Sequence, residues 1–494
     1  MRILESHHSE TSSTGLPYMI RRSLALAAAL TLFGACKDGF VPDQNNPGQD
    51  DFGVITSRAQ LQSQATGLLA GDRFFWAERW ILFSETIARN VIRFDPAEPR
   101  FISRLIRGET TGPGSAMSTS DFIGSSNWGT LYSNVRSADL LIQAVDASTA
   151  ATPTPLTDAE KSATKGFAKT LKAMSYLRVI EARDVLGAVV DPASPADPLP
   201  PIRCKPAALA LISALLDEAR TDLLAGGTDF PFNLPANMGP AQTVAGFIQF
   251  NRALKAKVEV YRAFAAWTPG NPATINQTHL TAAAAALAAS FVSTTASSFL
   301  GVYHSFSSAS GDTPNQLIDN SVYRINPLVA AAAEPNDLRR SKWTTGASRT
   351  GGSASANPQL NTQVTSNLIQ LVHTSPASPI PIIRNAELIL LRALVRWGQG
   401  DFLGAMADIN HIRQVEGGLG PLPLPANPNN IPALILHEQR LSLLFTSSAN
   451  WVTARMLGLL NTRQEAANKP TPLTAFPIPQ GERDARGNEV ACTP

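Results

Sequence analysis

The side chains able to carry chemistry are few and widely spaced. Seven histidines occur, at positions 7, 8, 279, 304, 373, 411 and 437. Apart from His7-His8 none stand at metal-ligand spacing, and no CxxC supplements them, so a zinc site is not expected. The nucleophile elbow GxSxG, the phosphate loop GxxxxGK[ST], HExxH and the dinucleotide fingerprint GxGxxG are all absent from the chain. Carboxylates are plentiful, yet spacing alone singles out no glycosidase-like pair. His411 and His437 fall on expected helices and read as surface or packed residues. The sequence therefore predicts no catalytic residue, no cofactor and no metal, and the chemistry left is that of binding.

Binding of sugars uses aromatic rings against C–H faces, with amides, carboxylates and arginines on the hydroxyls, and such residues concentrate on loops. Trp76 and Trp80 lie in the dense run Asp72-Arg73-Phe74-Phe75-Trp76-Ala77-Glu78-Arg79-Trp80. They read either as ligand contacts or as a seal behind the first helix, the second being the commoner use of large aromatics. Tyr303 and Phe306, in a Gly/Ser-rich stretch, and Trp343, after Arg339-Arg340, are further ligand candidates. Trp128, Trp397 and Trp451 occupy helical stripes and read as core, while Trp267, at a helix end, fits either role.

One cysteine carries a different chemistry. Arg21-Arg22, the apolar run Leu24–Phe33 and the small pair Gly34-Ala35 precede Cys36. This is a signal segment too short to span a membrane, ending in a lipobox with Phe33 in place of the usual Leu. Lipidation at Cys36 is expected. Residues 1–18 fit no signal pattern, and Met19 precedes the better one. From Lys37 to Asp51 the chain is rich in Pro, Asn, Gln and Asp and reads as a tether. Of the three cysteines, Cys204 and Cys492 then remain, either paired, as an envelope compartment permits, or free.

Helices must position these residues. Gln60–Leu69, Trp128–Val145, Lys165–Val185, Ala207–Leu224, Val244–Trp267, Leu280–Phe291, Ile382–Trp397, Phe402–Val415 and Ile431–Phe445 carry apolar residues at three- and four-residue spacing, and period-two alternation is scarce. Asp401 is placed to N-cap its helix and Gly417-Gly418 to close it. Breaks fall at 191–201, 226–240, 345–358 and 423–432. Ile382–Trp397, the turn Gly398–Asp401 and Phe402–Val415, with small Ala393 and Ala405 between the helices, form the helix-turn-helix unit of tetratricopeptide-type repeats, which need neighbours to bury their faces. The chain has 494 residues, 44% hydrophobic, 16% charged, with net charge +2. Near-neutrality without a basic run argues against nucleic acid.

At this point motifs accumulate. Asn127–Tyr132 continuing to Ala138-Asp139-Leu140-Leu141, Ala168–Leu177 ending at Val185-Leu186-Gly187, and Glu334–Arg339 each have a counterpart in one family. The most specific block is Pro381–Leu388, then Gly400-Asp401-Phe402, Ala405 and Ile409-Asn410-His411-Ile412-Arg413, followed near the end by Phe476-Pro477-Ile478-Pro479 and Glu482. The chain thereby resembles the SusD/RagB family of outer-membrane nutrient-binding lipoproteins through most of its length. It departs in the helix written E-R-x-x-E-L-x-x-E-G-x-R-W-x-D. Glu438, Arg440, Leu443 and Trp451 persist there, but Ser442, Thr446, Asn450 and Thr453 replace charged positions, so packing and neutral hydrogen bonds should hold that helix. The resemblance implies a mainly all-α fold, an α-α superhelix of tetratricopeptide-like pairs with an irregular loop-rich region around 290–380. Residues 1–35 would be leader, 36–55 lipidated cysteine and tether, 56–494 a single body. It further implies an oligomeric nutrient ligand, glycan or else peptide, and a SusC-like TonB-dependent transporter as partner. The membrane would be reached by the lipid anchor, and Cys36-Lys37-Asp38 resembles a signal for the cell surface. The rivals are a lipid-anchored hydrolase and an envelope scaffold.

Overall fold

A computed structural model describes residues 53–494 except 108–116, 126, 151, 153, 154, 191–198, 320 and 464–468. The leader, the tether and Cys36 lie outside the described residues.

Several of the long helices begin where the sequence supplies an N-cap. Ser57 accepts from the Gln60 amide to open α1 (Arg58–Trp76), which continues through a π-helical stretch (Ala77–Leu82) into α2 (Phe83–Ile87). Two short helices, α3 (Arg100–Arg107) and α4 (Phe122–Ser125), follow. After α5 (Gly129–Asp146), Thr157 and Glu160 form a reciprocal capping box at the start of α6 (Asp158–Arg183). Next come α7 (Lys205–Leu224), α8 (Val244–Ala263), opened by Thr243, and α9 (Gln277–Ala288), opened by Asn276. Beyond the short α10 (Pro327–Ala332) lie α11 (Asn385–Gly398), α12 (Phe402–Gly417), α13 (Ile431–Ser442), α14 (Ala449–Met456) and α15 (Gln480–Ala485). Asp401 caps α12 by accepting from the Gly404 amide, and Gly418 closes it at φ +64°. From α5 to α9 each helix packs on the one before it, and α9, α11, α12 and α13 continue the succession. This is the tetratricopeptide-like helical architecture expected. Among the described residues no helix is long and apolar enough to cross a membrane.

Strands are short but more frequent than alternation suggests. An antiparallel sheet in the order β1-β5-β7-β6 joins β1 (Val91–Arg93), β5 (Tyr323–Ile325), β7 (Val364–Gln370) and β6 (Trp343–Gly351). Two-stranded pairs join β2 (Ala188–Val189) to β3 (Ile202–Arg203) and β4 (Gly301–His304) to β8 (Ile380–Arg384). The expected helix start at Ile382 is thus corrected: 380–384 is extended, and α11 begins at Asn385. Likewise the break at 345–358 is half strand, and Tyr303 stands on β4 rather than in a loop.

Cys204 and Cys492 are joined, with Cα atoms 4.8 Å apart. The chain end lies as a strap beside β3: the Thr493 amide donates to Ile202 (2.8 Å) and the Cys204 amide to Thr493 (2.7 Å).

Candidate functional site

Several of the residues that carry the family resemblance, Arg339, Arg384, Glu387 and Arg413 among them, come together, and what they build is a buried seam of ion pairs. Arg384, at the end of β8, meets Glu416 of α12 at 2.6 Å and donates to the Ser442 carbonyl at 2.7 Å. Burial would raise the Glu416 carboxyl, but the charges of Arg384 and Lys342 bring it down to about 2. Arg339 pairs with Asp337 (2.8 Å) and with Glu438 of α13. Arg413 reaches Glu334 at 2.6 Å. Lys342 donates to the carbonyls of Leu441 and Ser442 at the end of α13, and burial lowers its ammonium to about 7. Glu387 accepts from Ser447 (2.8 Å) and pairs with Lys257 (3.2 Å). These side chains lock helices, and their donors and acceptors are spent on one another.

The departing helix behaves as its composition predicts at the later positions. Ser442 accepts from Arg339, Asn450 donates to the Leu436 carbonyl (2.9 Å), and Gln439 reaches Thr453 (3.4 Å). Glu438 nevertheless retains a charged partner in Arg339.

Two hollows among the described residues, both outside this seam, bear on binding. The smaller, about 70 Å3, is lined by Thr66, Leu69, Ala70 and Arg73 of α1, by Pro235 and Met238, and by Tyr303–Ser305. Tyr303 donates its hydroxyl to the Phe299 carbonyl (2.5 Å), and burial raises its phenol. Arg73 holds Asp312 (2.5 Å) and the Ser305 carbonyl (2.8 Å). Behind it sits a closed charge cluster. Asp72 accepts from Arg178 and, at 2.7 Å, from His304 Nε2. Burial pushes the Asp72 carboxyl up, but Arg178 and His304 together hold it at about 2, and burial keeps His304 neutral by lowering its imidazole.

The larger is an open cleft of about 380 Å3 between the stretch 94–102 and the end of β6. Its floor is a small separate core of Ile92, Phe94, Ile102, Ile106 and Val364. A Cβ on Gly351 would stand 2.5 Å from Ile102 Cδ1 and 3.0 Å from Phe94, so glycine there keeps the floor low. Asp95, Ser348, Arg349 and Thr350 supply polar groups on the walls, and Asp95 pairs with Arg93 at 2.8 Å. The volume falls within the range of small-ligand sites, whereas the smaller hollow falls well below it.

Most of the aromatic candidates are packed. Trp80 is wholly buried against Trp451, ring centroids 6.1 Å apart. Trp76 is buried under Arg178, with its indole N–H on the Pro381 carbonyl (2.9 Å). Their place supports the sealing role. Phe306 is buried beneath Arg73, and Trp343 is buried at the start of β6. Tyr303 alone of the five lines a hollow. Trp128, Trp397 and Trp451 are core as expected. Sequence reasoning missed the cleft residues Asp95, Ile102, Arg349 and Gly351, and the exposed rings Phe122 and Phe299 (39% and 60%). The turn signals Asp95-Pro96 and Gly351-Gly352 mark both cleft walls and could have drawn attention there. Among the described residues no group of three His, Cys, Asp or Glu side chains is arranged to hold a metal.

No family model and no curated protein sequence matches this chain. Solved structures do. A SusD superfamily protein from Parabacteroides distasonis superposes with a TM-score of 0.62 at 12% identity, over 88% of this chain and 98% of the other. One from Bacteroides fragilis gives 0.59 at 15%, over 88% and 98%. A structure solved with a xylogluco-oligosaccharide gives 0.57 at 15%, over 82% and 85%. The fold of this chain is therefore that of SusD superfamily proteins.

Proposed function

We propose that this chain is a SusD/RagB-type lipoprotein of the outer membrane that captures an oligomeric nutrient, a glycan, and passes it to a SusC-like TonB-dependent transporter. It performs no chemistry itself. Cys36 carries the lipid, the segment up to Asp51 is the tether, and the surface of the cell is where the body works. The observation that carries this reading is the superposition of nearly the whole described body on entire SusD superfamily chains, one similar structure having been solved with an oligosaccharide. The Cys204–Cys492 bond agrees with export to an oxidising compartment.

The cleft beneath β6 is the better ligand site of the two. It is open, of ligand size, floored by apolar side chains for C–H faces and walled by hydroxyls and charges for sugar oxygens. Tyr303 offers at most a secondary aromatic contact at the smaller hollow. Titration calorimetry of the body, residues 53–494, against glycan and peptide panels tests the reading. Binding of at least one oligosaccharide is expected, weakened when Ser348→Trp crowds the rim of the cleft. Turnover of any oligosaccharide, or binding confined to peptides, would overturn it. Metabolic labelling with a fatty acid, lost in Cys36→Ala, checks the anchor.

A further inference from the structure

The cleft contains one charge that the fold does not use. Arg349 is half-buried in the wall and, among the described residues, forms no ion pair and no side-chain hydrogen bond. Its neighbours are otherwise matched. Arg93 is shared by Glu78 and Asp95, and Arg100 holds Glu98 at 2.5 Å.

Geometry aims Arg349 into the cleft. Residues 349 and 351 of β6 project from the same face of the strand, and the Cβ direction of Gly351 runs onto the floor at Ile102 and Phe94. β6 is the edge strand of its sheet, so among the described residues no further strand pairs with it on that side. A second guanidinium, Arg324 on β5, is buried nearby. Burial and the charge of Arg349 both act to lower it, with Asp319 opposing. An anion seated at Arg349 would offset that repulsion as well as gain a planar, two-pronged donor.

Resting on the glycan reading above, we infer that the cleft is selective for acidic oligosaccharides, with Arg349 binding the carboxylate of a uronic or related acidic sugar. The ring then lies over Ile102 with its C–H face down, and its hydroxyls reach Asp95 and the backbone of the Ser348–Gly351 wall. Asp95 is already tied to Arg93, so its charge is largely spent and it serves as an acceptor.

The test is calorimetry of the body with uronate-containing and sialylated oligosaccharides, each beside its carboxyl-reduced counterpart. Wild-type protein is expected to favour the acid form by about tenfold or more, the size of one charge-assisted hydrogen bond. The preference should shrink as salt is raised. Arg349→Gln should abolish it and Arg349→Lys should keep part of it, both variants melting as wild type does. Equal binding of acid and reduced forms, or an acid preference that survives Arg349→Gln, overturns this inference while leaving the glycan reading intact. If no oligosaccharide of either kind binds, or acidic peptides bind instead, both fall together.

Discussion

The seam around Arg384 and the cleft around Arg349 use the same residue type for opposite ends. In the seam every arginine is itself buried and meets carboxylates or helix-terminal carbonyls within the chain. In the cleft an arginine is held half-exposed on an edge strand with no partner among the described residues, over a floor kept low by Gly351. An ion pair buried in a core positions elements, because each charge is stranded if its partner leaves. A lone guanidinium facing solvent fixes nothing and is free for a ligand. Arg339, Arg384, Glu387 and Arg413, all from motifs that carry the family resemblance, fall in the seam and so report the scaffold, whereas the proposed ligand site lies elsewhere.

The sharpest way to break this contrast is to strand a charge in the seam. Arg384→Ala takes from buried Glu416 its direct ion-pair partner and should cost about 3 kcal/mol, read as a fall in melting temperature. The double variant Arg384→Met, Glu416→Leu should recover most of it. Next in size is the strap: Cys492→Ser opens a loop of 288 residues and should cost about 2–4 kcal/mol, with ligand affinity unchanged because the strap borders β3 and not the cleft.

A smaller effect has the opposite sign. Glu85 accepts from the Phe445 amide (2.9 Å) and from Asn90 (3.3 Å). Burial raises its carboxyl to about 7, though Phe445, Asn90 and Arg440 act against it. A raised carboxyl contributes stability that is complete below its unfolded value of 4.5 and is lost as pH rises through about 7. Glu85→Gln should therefore match wild type near pH 5 and exceed it by roughly 1–3 kcal/mol above pH 8. Asp72 and Glu416, both held at about 2, run the other way: their contribution is present above the unfolded values of 3.8 and 4.5 and is lost only as pH falls toward 2. Melting curves across pH separate the two classes.

What the sequence makes legible follows the same division. α12 could be read from Asp401 to Gly418 because its cap, its stripe and its closing glycine are all local signals. Strand β8 could not: Ile380–Arg384 is a short apolar run abutting a helix, and such a run has no period of its own. Strand β6 is polar on both faces because it is an edge strand, so alternation never appears. Trp76 and Trp80 fit either a ligand contact or a seal from sequence alone; the π-helical stretch carries the helix onward, and both rings lie inside. The cleft has walls nearly 250 residues apart in sequence, joined only when β1, β5, β7 and β6 assemble, and the 204–492 pairing is equally a matter of tertiary distance.

The least costly change to stability should then be the most telling for function. Ser348 is exposed on the cleft wall and makes no ion pair, so Ser348→Trp should shift stability by no more than about 0.5 kcal/mol. A ring in that position crowds the rim of the cleft and should weaken oligosaccharide binding about tenfold, about 1.4 kcal/mol. Tyr303→Ala, at the smaller hollow, should weaken it by less. If the order is reversed, with Tyr303 decisive and Ser348 indifferent, the ligand surface lies on the α1–β4 side. The unpaired arginine would then need another explanation, since the contrast between seam and cleft assigns binding to the place where the fold leaves a charge unspent.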